Sequence, residues 1–156
     1  MDVRFLKPVY SSVYGEDFNS GNPGARIKMQ NAVYLLQELG IRIGDYDFLW
    51  YKCGLRSQAL QSDIEKVSDI PAGRIKYTDE ARGILEELKT LVTGGSQYTI
   101  LDWTECLASL QYLRSSVFGR RSKETDIIDE LQKRKPHLHN GPENRRAVRM
   151  LKRYIR

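Results

Sequence analysis

No stretch of the chain approaches the ~20 consecutive apolar residues that a membrane-spanning helix needs, and the mean hydropathy is −0.53. The opening residues, Met-Asp-Val-Arg-Phe-Leu-Lys-Pro, lack the long apolar region of a signal peptide. The expectation is a cytoplasmic protein with no membrane association. Cysteine is scarce. Cys53 and Cys106 lie far apart and form no CxxC pair, so buried free thiols are expected rather than a disulfide or a reactive thiol. Histidine is scarcer in useful positions. His137 and His139 alternate, so they point to opposite sides of an extended chain, and no third ligand has a helpful spacing. They are expected in a loop between helices, and no metal is expected.

Catalytic constellations are missing as well. Asp45 and Asp47 could serve as paired carboxylates, but no nearby histidine completes a site and their alternation fits an exposed strand face. Thr93-Gly94-Gly95-Ser96 lacks the lysine of a phosphate-binding loop and reads as a linker. No nucleophile–base pair is visible. The expectation is a non-enzymatic protein without a cofactor, and an enzyme is the weakest reading.

What is present is enough apolar material for one core. The chain has 156 residues, 40% of them hydrophobic, which suits a single domain. Its net charge of +5 is uneven. From Arg120 to Arg156 there are 12 Lys and Arg against 5 Asp and Glu, a balance of +7. The first 119 residues hold 13 against 15, a balance of −2. A basic surface in the last quarter could meet phosphates or an acidic protein.

Residues 1–24 read as an irregular segment. Ser11-Ser12, Gly15 and the run Asn19 to Gly24 are turn formers, while Phe5, Tyr10, Tyr14 and Phe18 could dock part of the segment on the body. Residues 25–156 read as one mainly helical domain. Asn22 and Pro23 suit the N-cap and first position of a helix. Met29, Ala32, Val33, Leu36 and Leu39 give it a buried stripe. Tyr34 and Leu35 widen that stripe, so this helix should be central, and Gly40 should end it. Asp45 to Tyr51 suits a short strand or extended segment. Gly54 permits a turn, and Ser57 can cap a helix carrying Leu60, Ile64 and Val67. Arg74 to Tyr77 alternates like a strand. Thr78 can cap the next helix, with Asp79 and Glu80 in its first turn.

Asp102-Trp103-Thr104-Glu105 resembles a capping box, with Leu101 and Cys106 as a hydrophobic staple. Ser122 should begin a further helix ending at Pro136, and Pro142 the last one. In that last helix Ala147, Val148, Leu151 and Ile155 form one face, and Arg145, Arg149, Lys152 and Arg156 lie on another, flanked by Arg146 and Arg153. The fold class expected is mainly α with a small β element: a winged-helix-like core plus a C-terminal three-helix layer.

Several segments resemble the SocA-like antitoxin (Panacea) families and the related YwgA-like bacterial proteins. RIKMQNAVYLLQELG, from Arg26 to Gly40, is similar to their LQKLVYLLQ helix. Asp47 to Gly54 resembles their aromatic segment. Ser57, Leu60, Asp63 and Ile64 match the start of the following helix, and Tyr77-Thr78-Asp79-Glu80 resembles their Y-x-L-T-E-E-G segment. Ala108 to Leu113 and Ile127 to Pro136 are similar to the YwgA-like C-terminal half. The resemblance spans roughly residues 25 to 155. The chain departs from it at Gly54-Leu55-Arg56-Ser57, where the family has Gly-Pro-Tyr-Ser, and at Ala81, where it has glycine. The segment between Val67 and Tyr77 is also short for a full wing. The resemblance implies a bacterial or phage-associated antitoxin-like module with a protein partner, a toxin or a component of a protease system. It supplies no catalytic residues.

The candidate binding residues are basic. Arg145, Arg146, Arg149, Lys152 and Arg153 could track a nucleic-acid backbone; the alternative is a solvated face that keeps the protein soluble. Arg120 and Arg121 sit with Lys123 at a helix start, where positive charge opposes the helix dipole at a cost of a few tenths of a kcal/mol. Arg56 lies beside the amides of a new helix. Gln58, Gln61 and Ser62 on that helix could read base edges, although Asp63 and Glu65 repel phosphate. Two functional readings follow: a regulatory or antitoxin-like interaction module that binds a protein or nucleic acid, and a winged-helix transcription regulator that reads DNA through this helix. The sequence leaves the oligomeric state open.

Overall fold

The computed structural model describes residues 3–119 and 121–155. Arg120 and Arg156 therefore lie outside the described residues. The fold is mainly α-helical with one small antiparallel sheet. The helices are α1 (Leu6–Tyr14), α2 (Pro23–Leu39), α3 (Gln58–Val67), α4 (Asp79–Thr93), α5 (Ile100–Tyr112), α6 (Glu124–Arg134) and α7 (Gly141–Tyr154). The strands β1 (Leu49–Tyr51) and β2 (Gly54–Arg56) form a hairpin between α2 and α3. Among the described residues, no helix is long and apolar enough to cross a membrane.

Helix α2 is central, as its widened apolar stripe predicts. Met29, Ala32, Val33, Leu35 and Leu36 are all buried. It packs on α5, whose Trp103, Cys106, Leu107 and Leu110 are equally enclosed. Helices α1, α3 and α4 gather on α2, and α6 and α7 on α5. The caps follow local chemistry. The side chains of Asn22, Ser57 and Thr78 accept hydrogen bonds from the N–H groups of Ala25, Leu60 and Ala81. Gly40, at φ +117°, closes α2 by donating to the carbonyls of Leu36 and Gln37.

Four expectations need correction. The N-terminal segment contains α1, because Leu6, Val9, Tyr10 and Val13 fall at helical spacing and are buried; the turn chemistry begins only at Gly15, which ends that helix at φ +70°. Helix α5 starts earlier than the Asp102 capping box implies. Thr99 is its N-cap and accepts from the Asp102 N–H at 3.1 Å, which leaves Glu105 in the helix interior. Helix α6 starts at Glu124, because Ser122 instead turns its hydroxyl to the Gly119 carbonyl at 2.7 Å. Arg74 to Tyr77 is not a strand. It runs alongside no strand edge, and Tyr77 packs on Phe5 instead.

The hairpin has three residue pairs, Leu49 with Arg56, Trp50 with Leu55 and Tyr51 with Gly54. A hairpin this short is not stable alone, so it is docked. The buried Gln30 side chain of α2 grips the Ser57 backbone twice: its Nε2 donates to the Ser57 carbonyl at 3.0 Å, and its Oε1 accepts from the Ser57 N–H at 2.9 Å. Lys135, just past α6, donates to the Cys53 carbonyl at 2.8 Å. This approach requires glycine at position 54. Its φ is +111°, and a Cβ there would lie 2.6 Å from Lys135 Nζ. Trp50 completes the docking against Tyr112 and the Arg134 guanidinium.

Replacing Gln30 by alanine would strand the Ser57 N–H in a site only 1% exposed. The expected cost is about 2–3 kcal/mol, seen as a lower urea midpoint. Gln58→Ala, at an exposed position of α3, should change stability by less than about 0.5 kcal/mol.

Candidate nucleic-acid interface

Helix α7 is held from one side and free on the other. Asn140 caps it by accepting from the Glu143 N–H at 3.2 Å. Its buried face carries Ala147, Val148 and Leu151 into the core. Asn144, fully buried among them, is satisfied on both amide atoms. Its Nδ2 donates to the Leu138 carbonyl at 3.0 Å, and its Oδ1 accepts from the Tyr98 hydroxyl at 2.8 Å and the Cys106 thiol at 3.3 Å. Burial pushes the Cys106 thiol far above its ordinary pKa, so it is an inert core group.

Glu143 ties the first turn of α7 to the 94–98 connection. Its Oε2 accepts from the Ser96 hydroxyl and from the Gln97 N–H at 3.1 Å. Arg146 continues the same anchorage. It pairs with Glu143 at 3.2 Å, donates to the Gly95 carbonyl at 2.5 Å and lies over the Trp103 ring at 4.9 Å. Arg146 is thus spent on holding α7 in place rather than on the outer face.

The outer face carries Arg145, Arg149, Lys152 and Arg153, all exposed. They sit at i, i+4, i+7 and i+8, within an arc of roughly 100° at about 100° per residue. Among the described residues, none of the four has a hydrogen bond, ion pair or ring contact. Arg145 borders a shallow cleft shared with Glu124 and Asp129 of α6, without an ion pair to either. The dipole of α7 favours Lys152 and Arg153 near its C-terminus, but it offers no such reason for Arg145 and Arg149.

The other sequence-predicted residues fall elsewhere. Arg121 is exposed in the turn before α6. Arg56, half-buried at the end of β2, lines a cleft to which α7 contributes no residue. On α3, Gln58 and Ser62 are exposed, while Gln61 donates to Glu65 at 3.4 Å. Asp63, half-buried, accepts from the Tyr46 hydroxyl at 2.8 Å and pairs with Lys66 at 3.7 Å, while Glu65 remains an exposed carboxylate of α3. Asp45 and Asp47 are exposed on either side of the buried Tyr46. His137 and His139 lie in the α6–α7 loop, and among the described residues no group of three or more His, Cys, Asp or Glu could hold a metal ion. Cys53 corrects the expectation of two buried thiols: it is free but exposed, at the hairpin turn.

Two charged residues acquire roles that sequence reasoning missed. Lys135, just past the C-terminus of α6, buttresses the hairpin. Glu105 was read as part of a cap but is 9% exposed, with Oε1 2.9 Å from His137 Nε2 and 3.4 Å from Lys135 Nζ. Neither approach has hydrogen-bond geometry, and Lys135 is the cation that offsets the buried carboxylate. Only the spatial meeting of α5 with the end of α6 reveals either role. No protein-family model, curated protein or solved structure matches the chain.

The Glu143 anchorage makes a pH prediction. Hydrogen bonds from Ser96 hold its carboxyl below the ordinary pKa, helped by the Gln97 N–H and Arg146. A depressed folded-state value means that its stabilisation is complete above the ordinary carboxylate range of about 4–4.5. That stabilisation is lost as the pH falls through the folded-state value. Glu143→Gln should therefore lower Tm at pH 7, and its gap from the wild type should shrink in acid. Thermal melts from pH 3 to 7 measure this difference.

Proposed function

We propose that the protein is a non-enzymatic binding module that engages the phosphate backbone of a nucleic acid through the outer face of α7. The observation that carries this reading is the set of four cations, Arg145, Arg149, Lys152 and Arg153, exposed on one helix face with no partner among the described residues. Several cations elsewhere are used internally, while others, Arg74, Lys76 and Lys89 among them, are exposed singly rather than gathered on one helix face. Lys7 caps the end of α3 through the Ser68 and Ile70 carbonyls, Lys28 pairs with Glu16, and Lys135 and Arg146 anchor loops. Arginines spaced one turn apart match phosphates as planar, paired donors. Such binding is largely independent of sequence, because it reads charge rather than base edges.

The resemblance of α2 and its neighbours to SocA-like and YwgA-like proteins supports a regulatory, antitoxin-like setting in the bacterial cytoplasm. In that setting a toxin or a protease-system component would be a second partner. The carboxylates retained on α3, Asp63 and Glu65, favour backbone attraction at α7 over base reading by α3.

Fluorescence polarisation with random-sequence duplex and single-stranded DNA tests the proposal. Affinity should fall with salt at a log–log slope of about −3 to −4 on duplex for four phosphate contacts. Arg145→Glu/Arg149→Glu/Lys152→Glu should abolish binding. The charge-matched control Arg74→Glu/Lys76→Glu/Lys89→Glu, on exposed sites of and before α4, should weaken it only slightly. Equal losses in both triple variants would reduce the effect to net charge. An absence of binding at low salt would leave α7 to an acidic protein partner.

A further inference from the structure

A cleft of about 330 Å³ opens where the hairpin, the first turns of α2 and the end of α6 meet. Its volume lies at the lower end of small-molecule sites, roughly 300–1,000 Å³. Pro23, Ile27 and Leu55 give it apolar walls, and Arg26, Arg56 and Lys135 bring three cations to its lining. Glu105 is the carboxylate among these lining residues, and Lys135 and His137 already lie against it.

Among the described residues, neither arginine has a carboxylate partner. Arg26 spends one nitrogen on the Ser20 carbonyl, and Arg56 spends one on the Cys53 sulfur at 3.5 Å. Each guanidinium has five N–H donors in a planar fork, so most of that capacity is unspent on protein groups. Both arginines are half-buried, unlike the exposed cations of α7. Glu65 borders an adjoining depression that Arg26 also lines, without an ion pair to it. The hairpin is fixed over α2 by Gln30 and Lys135, so the cleft is formed before any ligand arrives.

We propose that this cleft binds a small organic anion, with its carboxylate or phosphate group on Arg26 and Arg56 and its body against Pro23, Ile27 and Leu55. Charge selects the anionic end, because the lining carries two cations beyond the one that faces Glu105. The apolar walls select a ligand with a compact hydrocarbon body over a bare inorganic ion. This site is independent of the α7 face, which contributes no residue to it.

An NMR titration of the whole chain tests this, with sodium benzoate, phenyl phosphate and inorganic phosphate at matched ionic strength. Saturable shifts of the amides from Cys53 to Ser57 and at Arg26 and Ile27 are expected. At least one organic anion should bind more tightly than inorganic phosphate. Benzoate alone would identify a carboxylate site, and phenyl phosphate alone a phosphate site. Arg26→Gln and Arg56→Gln should each weaken binding at least tenfold, and Arg56→Lys by less. The α7 triple variant should bind as the wild type does, whether or not α7 engages nucleic acid. The amide dispersion of each variant shows that it is folded. Three outcomes would overturn the proposal: no saturable shift with any probe, shifts confined to α7, or affinities unchanged in both glutamine variants.

Discussion

The double hydrogen bond between the Gln30 side chain and the Ser57 backbone is the constraint on which the middle of the protein depends. It joins the central helix to the point where β2 becomes α3. One residue therefore terminates the hairpin, caps α3 through its hydroxyl and meets the core through its backbone. A primary amide suits this task because it presents a donor and an acceptor side by side, as a neighbouring strand would. With Ser57 fixed, Lys135 and Trp50 need only close the far end of a three-pair hairpin. The cleft beneath that hairpin inherits its shape from the same grip.

The charges divide into those the fold consumes and those it leaves out. Lys7, Lys135 and Arg146 each end on backbone carbonyls that helices or turns would otherwise leave to water. Arg114 does the same for the Ile155 carbonyl at the end of α7. The cations of the outer α7 face are in a different state, exposed and without partners among the described residues. Anchorage makes that possible. Asn144, Glu143 and Arg146 hold α7 firmly enough for its outer side to be given over to charge.

Much of the fold was legible because its signals are local. Asn22, Ser57 and Thr78 announce caps that need only the next turn of helix to form. The apolar stripe of α2, widened by Tyr34 and Leu35, announces a central position. Helix α1 was equally legible in Leu6, Val9, Tyr10 and Val13, but the turn formers from Gly15 onward drew the whole segment towards an irregular reading. The start of α5 was misplaced because Thr99 and Asp102 both satisfy capping chemistry, and sequence pattern does not decide between overlapping caps. Arg74 to Tyr77 has strand alternation without a partner edge, and a strand exists only where a second one offers hydrogen bonds.

The sequence by itself determined the helices after α1, the caps of α2, α3 and α4, the central role of α2 and the basic stripe of α7. Each depends on spacing within one turn of helix. Tertiary structure decided which charges are free. Arg145 and Arg146 are neighbours in sequence, yet one faces solvent and the other lies on Trp103. Arg26, Arg56 and Lys135 come from three distant segments and line one cleft only because the hairpin folds back over α2. Charge is a property of a residue, but its availability depends on what packs beside it.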